Sequence, residues 1–267
     1  RHDDQSVAGF LDEKIADLEA AILSLGSENI AAFIAEPVLA SGGVIVPPQG
    51  YHKRCIEVCH KNDILYISDE VVTAFGRLGH WFASKDIFDI QPDIITSAKG
   101  LTSGYAPMGA AIFSDRLIAD ISGDHGKGAT FSNGFTYSSH PVSAAAGLAS
   151  MEIIEREGLL EHVRAMTPIF QERLGALSDL PLVVDARGIG LMGCVQCSYD
   201  RDKSSSLEAD YELGAKIDVV CQDRGLLLRP SINMCVMSPP LIISEEQIQT
   251  MFDILDSAIR KVDSAQR

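Results

Sequence analysis

A chain of 267 residues, 46% of them apolar, can bury a substantial core as one large domain or two small ones. A formal net charge of -15 leaves no basic stripe for nucleic acid, and no apolar run approaches the roughly 20 residues that cross a bilayer. No apolar segment follows the charges of RHDDQSVAGF, so no signal peptide is expected, the six cysteines read as reduced thiols, and the expected location is cytoplasmic.

In chain order, Leu11, Ile15, Leu18, Ile22 and Leu25 recur at helical spacing and predict a helix over Phe10–Leu25 that stops at Gly26. Ile30–Ala35 reads as a buried strand, Pro47 and Pro48 open a helix from Gly50 to about Asn62, and Ile64–Ser68 is the next strand. On that helix His52, Cys55 and Cys59 share a face; one helical stripe rarely completes a four-ligand site, so core packing is expected there and no metal. Ile94–Thr96 forms a third strand, MGAAIFS from Met108 a fourth, and Asp115 caps a short helix to Ile121. This alternation predicts a parallel sheet with helices on its faces.

Ser122–Asn133, rich in glycine and polar residues, reads as a loop, and its GKG at Gly126–Gly128 lacks the Ser or Thr of a Walker loop. Pro141 starts a helix to Glu155, Gly158 breaks it, and a second helix runs to Leu177. From Val183 short strands and turns predict a smaller α+β domain, giving a division into residues 1–157 and 158–267. Gly188, Gly190 and Gly193 spell GxGxxG but lead into strand-like Cys194–Cys197, so they belong to a strand or tight turn rather than a dinucleotide loop. Cys194 and Cys197 form a CxxC with neither a following helix nor a second pair, which leaves them as core residues. Leu207–Arg224 is helical, Leu226–Arg229 and Met234–Met237 are strands, and Ser244, followed by Glu245 and Glu246, opens an amphipathic helix through a capping box.

The chemistry concentrates in Leu65–Gly100. Asp69 ends one apolar run and Lys99 ends another, and the carboxyl ends of strands line the ligand crevice of an open α/β sheet. A lysine so placed is either a paired structural cation or a former of Schiff bases, since its amine suits attack on an aldehyde. An aspartate near it can hold a pyridinium nitrogen protonated, which makes the ring an electron sink.

AEPVLASGGVIVPP (from Ala35), ISDEVVTAFGRLGHWFA (from Ile67), SAKGLTSGYAPMGA (from Ser97), FTYSSHPV (from Phe135), and LLLRP with SPPLIIS (Leu226 to Ser244) carry a resemblance. Together, in this order, they resemble the class III, pyridoxal-phosphate-dependent aminotransferases, closest to the ω-amino acid and amine:pyruvate group. The resemblance implies fold type I, aspartate aminotransferase-like, with a mostly parallel large domain and a small C-terminal α+β domain. It implies amino transfer from an amine or ω-amino acid to a 2-oxo acid such as pyruvate, on pyridoxal 5'-phosphate.

Lys99 matches the family's Schiff-base lysine, which also shuttles a proton, and Asp69 the partner of the pyridine nitrogen. Val71 resembles a residue packed on a ring face. Phe135 and Thr136 match cofactor-binding positions, Thr136 reaching the phosphate held by the neighbouring subunit, so a homodimer or dimer of dimers with shared active sites is implied. Arg229 matches an arginine that binds the substrate carboxylate, and Glu36 a glutamate near the active site. Leu39-Ala40-Ser41 and Thr73-Ala74 depart from the family pattern at the pocket wall. The chain resembles only the C-terminal three-fifths of the family and is expected to be a fragment, or a protein whose other portion is a separate chain. An aminomutase of the same family and a non-catalytic partner subunit are the alternative expectations.

Overall fold

The structure, a computed structural model, describes residues 5–122, 132–200 and 205–265, and leaves out the side chains of Asp120, Ser122 and Arg229. The expected loop over Ser122–Asn133, with its GKG, falls largely outside the described residues. The chain forms two compact units, the first made of Arg1–Pro37, Pro47–Phe75 and His80–Ile154, the second of Val38–Val46, Gly76–Gly79 and Glu155–Arg267.

The first unit is built on a sheet of β1 (Ala32–Ala35), β2 (Leu65–Asp69), β3 (Ile94–Ser97) and β4 (Ala110–Phe113), in that spatial order. β1, β2 and β3 are parallel and β4 is antiparallel to β3, which gives the mostly parallel α/β sheet that the alternation predicts. Helix α1 (Val7–Leu25) starts before the first periodic residue because the Ser6 side chain accepts from the Gly9 amide, and it ends where Gly26 turns left-handed at φ 79°. Together with α2 (Tyr51–Lys61) it covers one sheet face through Ile15, Ile22, Cys55, Cys59, Ile64 and Tyr66. The His52 ring lies in this layer. Its Nε2 donates to the Pro37 carbonyl (2.9 Å) and its Nδ1 accepts from the Tyr66 hydroxyl (2.8 Å), so both nitrogens are occupied. Burial pushes the Cys55 and Cys59 thiols up to about 11, as expected of core residues. Two short helices, α3 (Ala83–Asp86) and α4 (Asp115–Ser122), and the longer α5 (Pro141–Arg156) follow. Among the described residues no helix is long and apolar enough to cross a membrane.

The amino ends of β2 and β3 are tied by one carboxylate. Asp93 is buried and accepts from the Tyr66 amide (2.8 Å), His60 Nε2 (2.9 Å) and Arg116, while its own amide donates to the Tyr66 carbonyl. Burial pushes the carboxyl up, but the bonds from Tyr66, Arg116 and His60 outweigh it and hold it below the usual carboxylate range.

The second unit carries α6 (Leu159–Ala176), β5 (Val183–Ile189), β6 (Met192–Cys197), α7 (Leu207–Gln222), β7 (Arg229–Ser231), β8 (Met234–Met237) and α8 (Glu245–Ser264). Its sheet is antiparallel throughout, in the order β5-β6-β8-β7. Phe170 and Leu174 of α6, Leu213 and Ile217 of α7, and Phe252 and Leu255 of α8 pack on it, and Cys197, Cys221 and Cys235 are buried in the same core. The GxGxxG glycines shape the β5–β6 hairpin. Gly188 pairs with Gly193, and a Cβ on Gly188 would come within 2.3 Å of the Met192 carbonyl. The strand expected at Leu226–Arg229 begins at Arg229 instead. The Leu226 amide bonds back to the Cys221 carbonyl and closes the end of α7, so pairing starts only at Arg229 with Val236. Pro230, which has no N–H to give, is accommodated because β7 is an edge strand. The capping box of α8 closes on Gln247 rather than on either glutamate.

Replacing Asp93 by Asn is expected to cost about 2–3 kcal/mol of unfolding free energy at neutral pH, because Arg116 and the buried Tyr66 amide compete for one remaining acceptor. A carboxyl held low when folded stabilises the chain above its unfolded value and loses that contribution as pH falls. The gap between wild type and variant in urea titrations should therefore be full at neutral pH and close below about pH 4; a gap independent of pH would contradict this account.

Candidate active site

Parallel pairing brings the carboxyl ends of β1, β2 and β3 to one edge of the first unit's sheet. Ala35 pairs with Ser68 and Asp69 with Thr96, so Glu36 follows β1 at the level of Asp69, and Lys99 follows β3 three residues beyond Asp69's partner. Adjacent strands lie roughly 5 Å apart, so an amine and two carboxyl groups are concentrated at one rim.

Alternation along β2 decides which side chains face which way. Tyr66 and Ser68, with Glu70 just beyond the strand, are buried on one face, while Leu65, Ile67 and Asp69 are half-buried on the other. Asp69 keeps its carboxylate in an Asx turn, Oδ1 accepting from the Val71 amide at 3.1 Å. Among the described residues Oδ2 has no hydrogen-bond partner. Val71 is half-buried in the turn that follows.

Lys99 is exposed and sits in the left-handed region at φ 37°, an uncommon conformation for a residue with a Cβ. Among the described residues it makes no ion pair, so the structural-cation alternative lacks a partner. At the end of β3 before it, the hydroxyls of Thr96 and Ser97 are buried without hydrogen-bond partners among the described residues, an uncommon state. Phe135 and Thr136 lie in the exposed turn leading into α5, where the Phe135 amide donates to Ser138 Oγ at 2.9 Å. Arg229 opens β7 in the second unit, and its side chain lies outside the described residues. Glu36 is half-buried.

The sequence reading missed Glu70, the acid next to Asp69. It is 0% exposed and accepts four hydrogen bonds, from Ala83 N (2.6 Å), Ser84 N (2.8 Å), Ser84 Oγ (2.6 Å) and Thr73 Oγ1 (3.1 Å). The available signal was the period of two, which puts consecutive acids at a strand end on opposite faces.

The architecture, a mostly parallel sheet unit with an antiparallel unit behind it in the chain, is that of the fold type I transferases. A solved transaminase with L-alanine matches 100% of this chain and 62% of its own at a TM-score of 0.94 and 38% identity. The aminotransferase from Vibrio fluvialis in its PMP-bound form covers 98% of this chain and 58% of its own, with a TM-score of 0.92 and 36% identity. The class-III aminotransferase family model matches residues 2–259, and the chain belongs to that family.

Curated relatives include a mitochondrial gamma aminobutyrate transaminase of Solanum lycopersicum, 40% identical over 92% of this chain and 48% of that protein. Another is the putrescine–pyruvate aminotransferase of Pseudomonas aeruginosa, 39% identical over 93% of this chain and 53% of that protein. The chain spans about half the length of the curated relatives it matches. The cofactor of the family is pyridoxal phosphate. The rim fits it in kind: among the described residues, an amine without a counter-ion for the aldehyde, and a carboxylate with a spare oxygen for the ring nitrogen.

The left-handed backbone at Lys99 carries a strain of about 1 kcal/mol that glycine would not. Without cofactor, Lys99→Gly is expected to melt roughly 2–4 °C above Lys99→Ala. Equal melting temperatures in a thermal scan would show that the backbone there is unstrained.

Proposed function

We propose that this chain is the catalytic part of a transaminase that moves an amino group from an amine or ω-amino acid to a 2-oxo acid such as pyruvate. The observation that carries the reading is Lys99, without an ion pair among the described residues, just beyond the end of β3, and Asp69, with one oxygen unengaged among them, at the end of the neighbouring β2, in a chain of the class-III family. The large cofactor-binding domain and the small C-terminal domain, divided near residues 157 and 158, are part of the proposal.

Pyridoxal phosphate, when bound, supplies an aldehyde for the amine and a ring that takes up the electron pair released when a C–H bond breaks. Lys99 Nζ would be the amine that holds the cofactor through its aldehyde, and, when freed by the substrate amine, the base that takes up and gives back the proton of the amino-bearing carbon. Asp69 accepts a hydrogen bond from the ring nitrogen and keeps it protonated. Val71 packs on one face of the ring. Thr136, with Phe135 beside it, donates to the phosphate held by a neighbouring subunit, so the assembly is a homodimer or dimer of dimers with shared sites. Arg229 meets the substrate carboxylate through a bidentate fork, and Glu36 lines the pocket. The two half-reactions alternate donor and acceptor at one site, which gives ping-pong kinetics. The proposal assigns the protein to the cytoplasm, although the names of several relatives are mitochondrial or chloroplastic.

Borohydride reduction of the protein loaded with pyridoxal phosphate should fix the cofactor to the peptide containing Lys99, read by mass spectrometry, and Lys99→Ala should abolish both the adduct and turnover. An adduct retained in Lys99→Ala would overturn the assignment. Arg229→Ala is expected to reduce kcat/KM for pyruvate by about tenfold to a hundredfold, as for a lost bidentate charge pair, with a smaller loss for a simple aldehyde acceptor. Equal losses would remove Arg229 from the site.

A further inference from the structure

Glu70 is a buried carboxylate whose charge meets no cation among the described residues. Its two oxygens divide four donors evenly. Oε1 accepts from the amide and hydroxyl of Ser84, and Oε2 from the Ala83 amide and the Thr73 hydroxyl. Ser84 is buried too, and its hydroxyl also meets Ser68 Oγ at 2.8 Å. One serine thus grips the residues on either side of Asp69, both from the sheet face opposite to it. The backbone completes the clamp: the Glu70 amide donates to the Thr96 carbonyl at 2.8 Å, and Thr96 is Asp69's own partner in the ladder.

An isolated buried carboxylate costs several kcal/mol unless its lone pairs are filled. Filling them all with donors from Thr73 and the start of α3 makes the position of Glu70 stiff, because moving it strands several buried groups at once. Asp69 lies between the two gripped residues and, among the described residues, engages Oδ1 alone, through the Val71 amide.

We infer that Glu70 and Ser84 are positioning residues for Asp69, holding the end of β2 from behind so that the second carboxylate oxygen of Asp69 stays aimed at the ring nitrogen of the cofactor. The inference rests on the role proposed above for Asp69. Neither residue touches the cofactor in this scheme; both act through the backbone that carries Asp69 and Val71.

The test compares Glu70→Gln, Ser84→Ala and Asp69→Asn in the protein with its natural subunit partner. Gln keeps the shape of Glu but turns an NH2 toward donors whichever way it faces, and Ser84→Ala removes one hydroxyl with little change of volume. Three measurements are made: hydrogen exchange of the Val71 amide before loading, the affinity with which pyridoxal phosphate is retained, and the pH dependence of the visible band of the bound cofactor. Glu70→Gln is expected to speed Val71 exchange and weaken cofactor retention by about tenfold each, the equivalent of one charge-assisted hydrogen bond. Its pH midpoint should move in the direction seen for Asp69→Asn, with Ser84→Ala showing the same pattern more weakly. If Glu70→Gln fails to fold, Ser84→Ala decides alone. Variants that melt lower but keep the Val71 exchange and the pH midpoint of wild type would reduce the pair to a structural role and overturn the inference. An Asp69→Asn protein with unchanged affinity and band would overturn the role of Asp69 itself, and the inference with it.

Discussion

The register of β2 against β3 is the constraint on which the candidate site depends. Side chains alternate with a period of two, so a slip of one residue would send Asp69 into the buried face and bring Glu70 out to the rim. Both ends of the pairing are pinned. At the amino end Asp93 exchanges bonds with the Tyr66 backbone and draws in His60 and Arg116; at the carboxyl end the Glu70 amide meets the Thr96 carbonyl. A buried acid therefore stands at each end of the ladder: Asp93 takes one of its donors from β2 itself, and Glu70 meets Thr73, Ala83 and Ser84 from the face that the correct register gives it. Misregistered pairing would leave two carboxylates desolvated without partners, a penalty of several kcal/mol for each.

Much of the first unit was legible because its signals are local. The helical spacing of Leu11 to Leu25, the stop at Gly26 and the apolar runs before Asp69 and Lys99 each depend on neighbours in sequence, and the parallel sheet follows from their alternation. What was not legible depends on partners far along the chain. Nothing in Val38–Val46 or Gly76–Gly79 announces that these stretches belong with the C-terminal unit. They do so through Arg187, which donates to the Gly43 carbonyl at 2.7 Å, and through Arg77, which donates to the carbonyls of Leu191 (3.1 Å) and Pro239 (2.5 Å). Burial pushes the Arg77 guanidinium down to about 10, and neutral carbonyls are the partners it has. Arginines are mostly exposed, so the burial of this one could be learned only from the fold.

The same division holds at the site. Asp69 and Lys99 were legible as strand-end charges, whereas Glu70 was passed over because its importance lies in four donors, three of them on residues 83 and 84. The helix that supplies those three, α3, has only four residues and leaves no periodic trace. β7 was displaced for a related reason: the three leucines before Arg229 look like a strand, but Leu226 is taken by the end of α7 and Leu227 is 83% exposed. Hydrophobicity alone could not separate a strand from the apolar exit of a helix.

The adjacent acids show how one strand end can present two carboxylates in different states of engagement. A carboxylate that stabilises a fold should have its oxygens fully engaged, because each buried lone pair left empty costs energy. A carboxylate that must hold a proton on a ligand should keep one oxygen disengaged and part of its surface open. Glu70 meets the first requirement, with both oxygens doubly bonded and no exposure; Asp69 meets the second, with Oδ1 anchored and Oδ2 free among the described residues. Exchanging the two roles would need the opposite alternation, with Asp69 on the face where Ser84 waits. The pleat of β2 thus separates a fully engaged acid from a partly open one of nearly identical chemistry, and the difference between them lies in which face each is given.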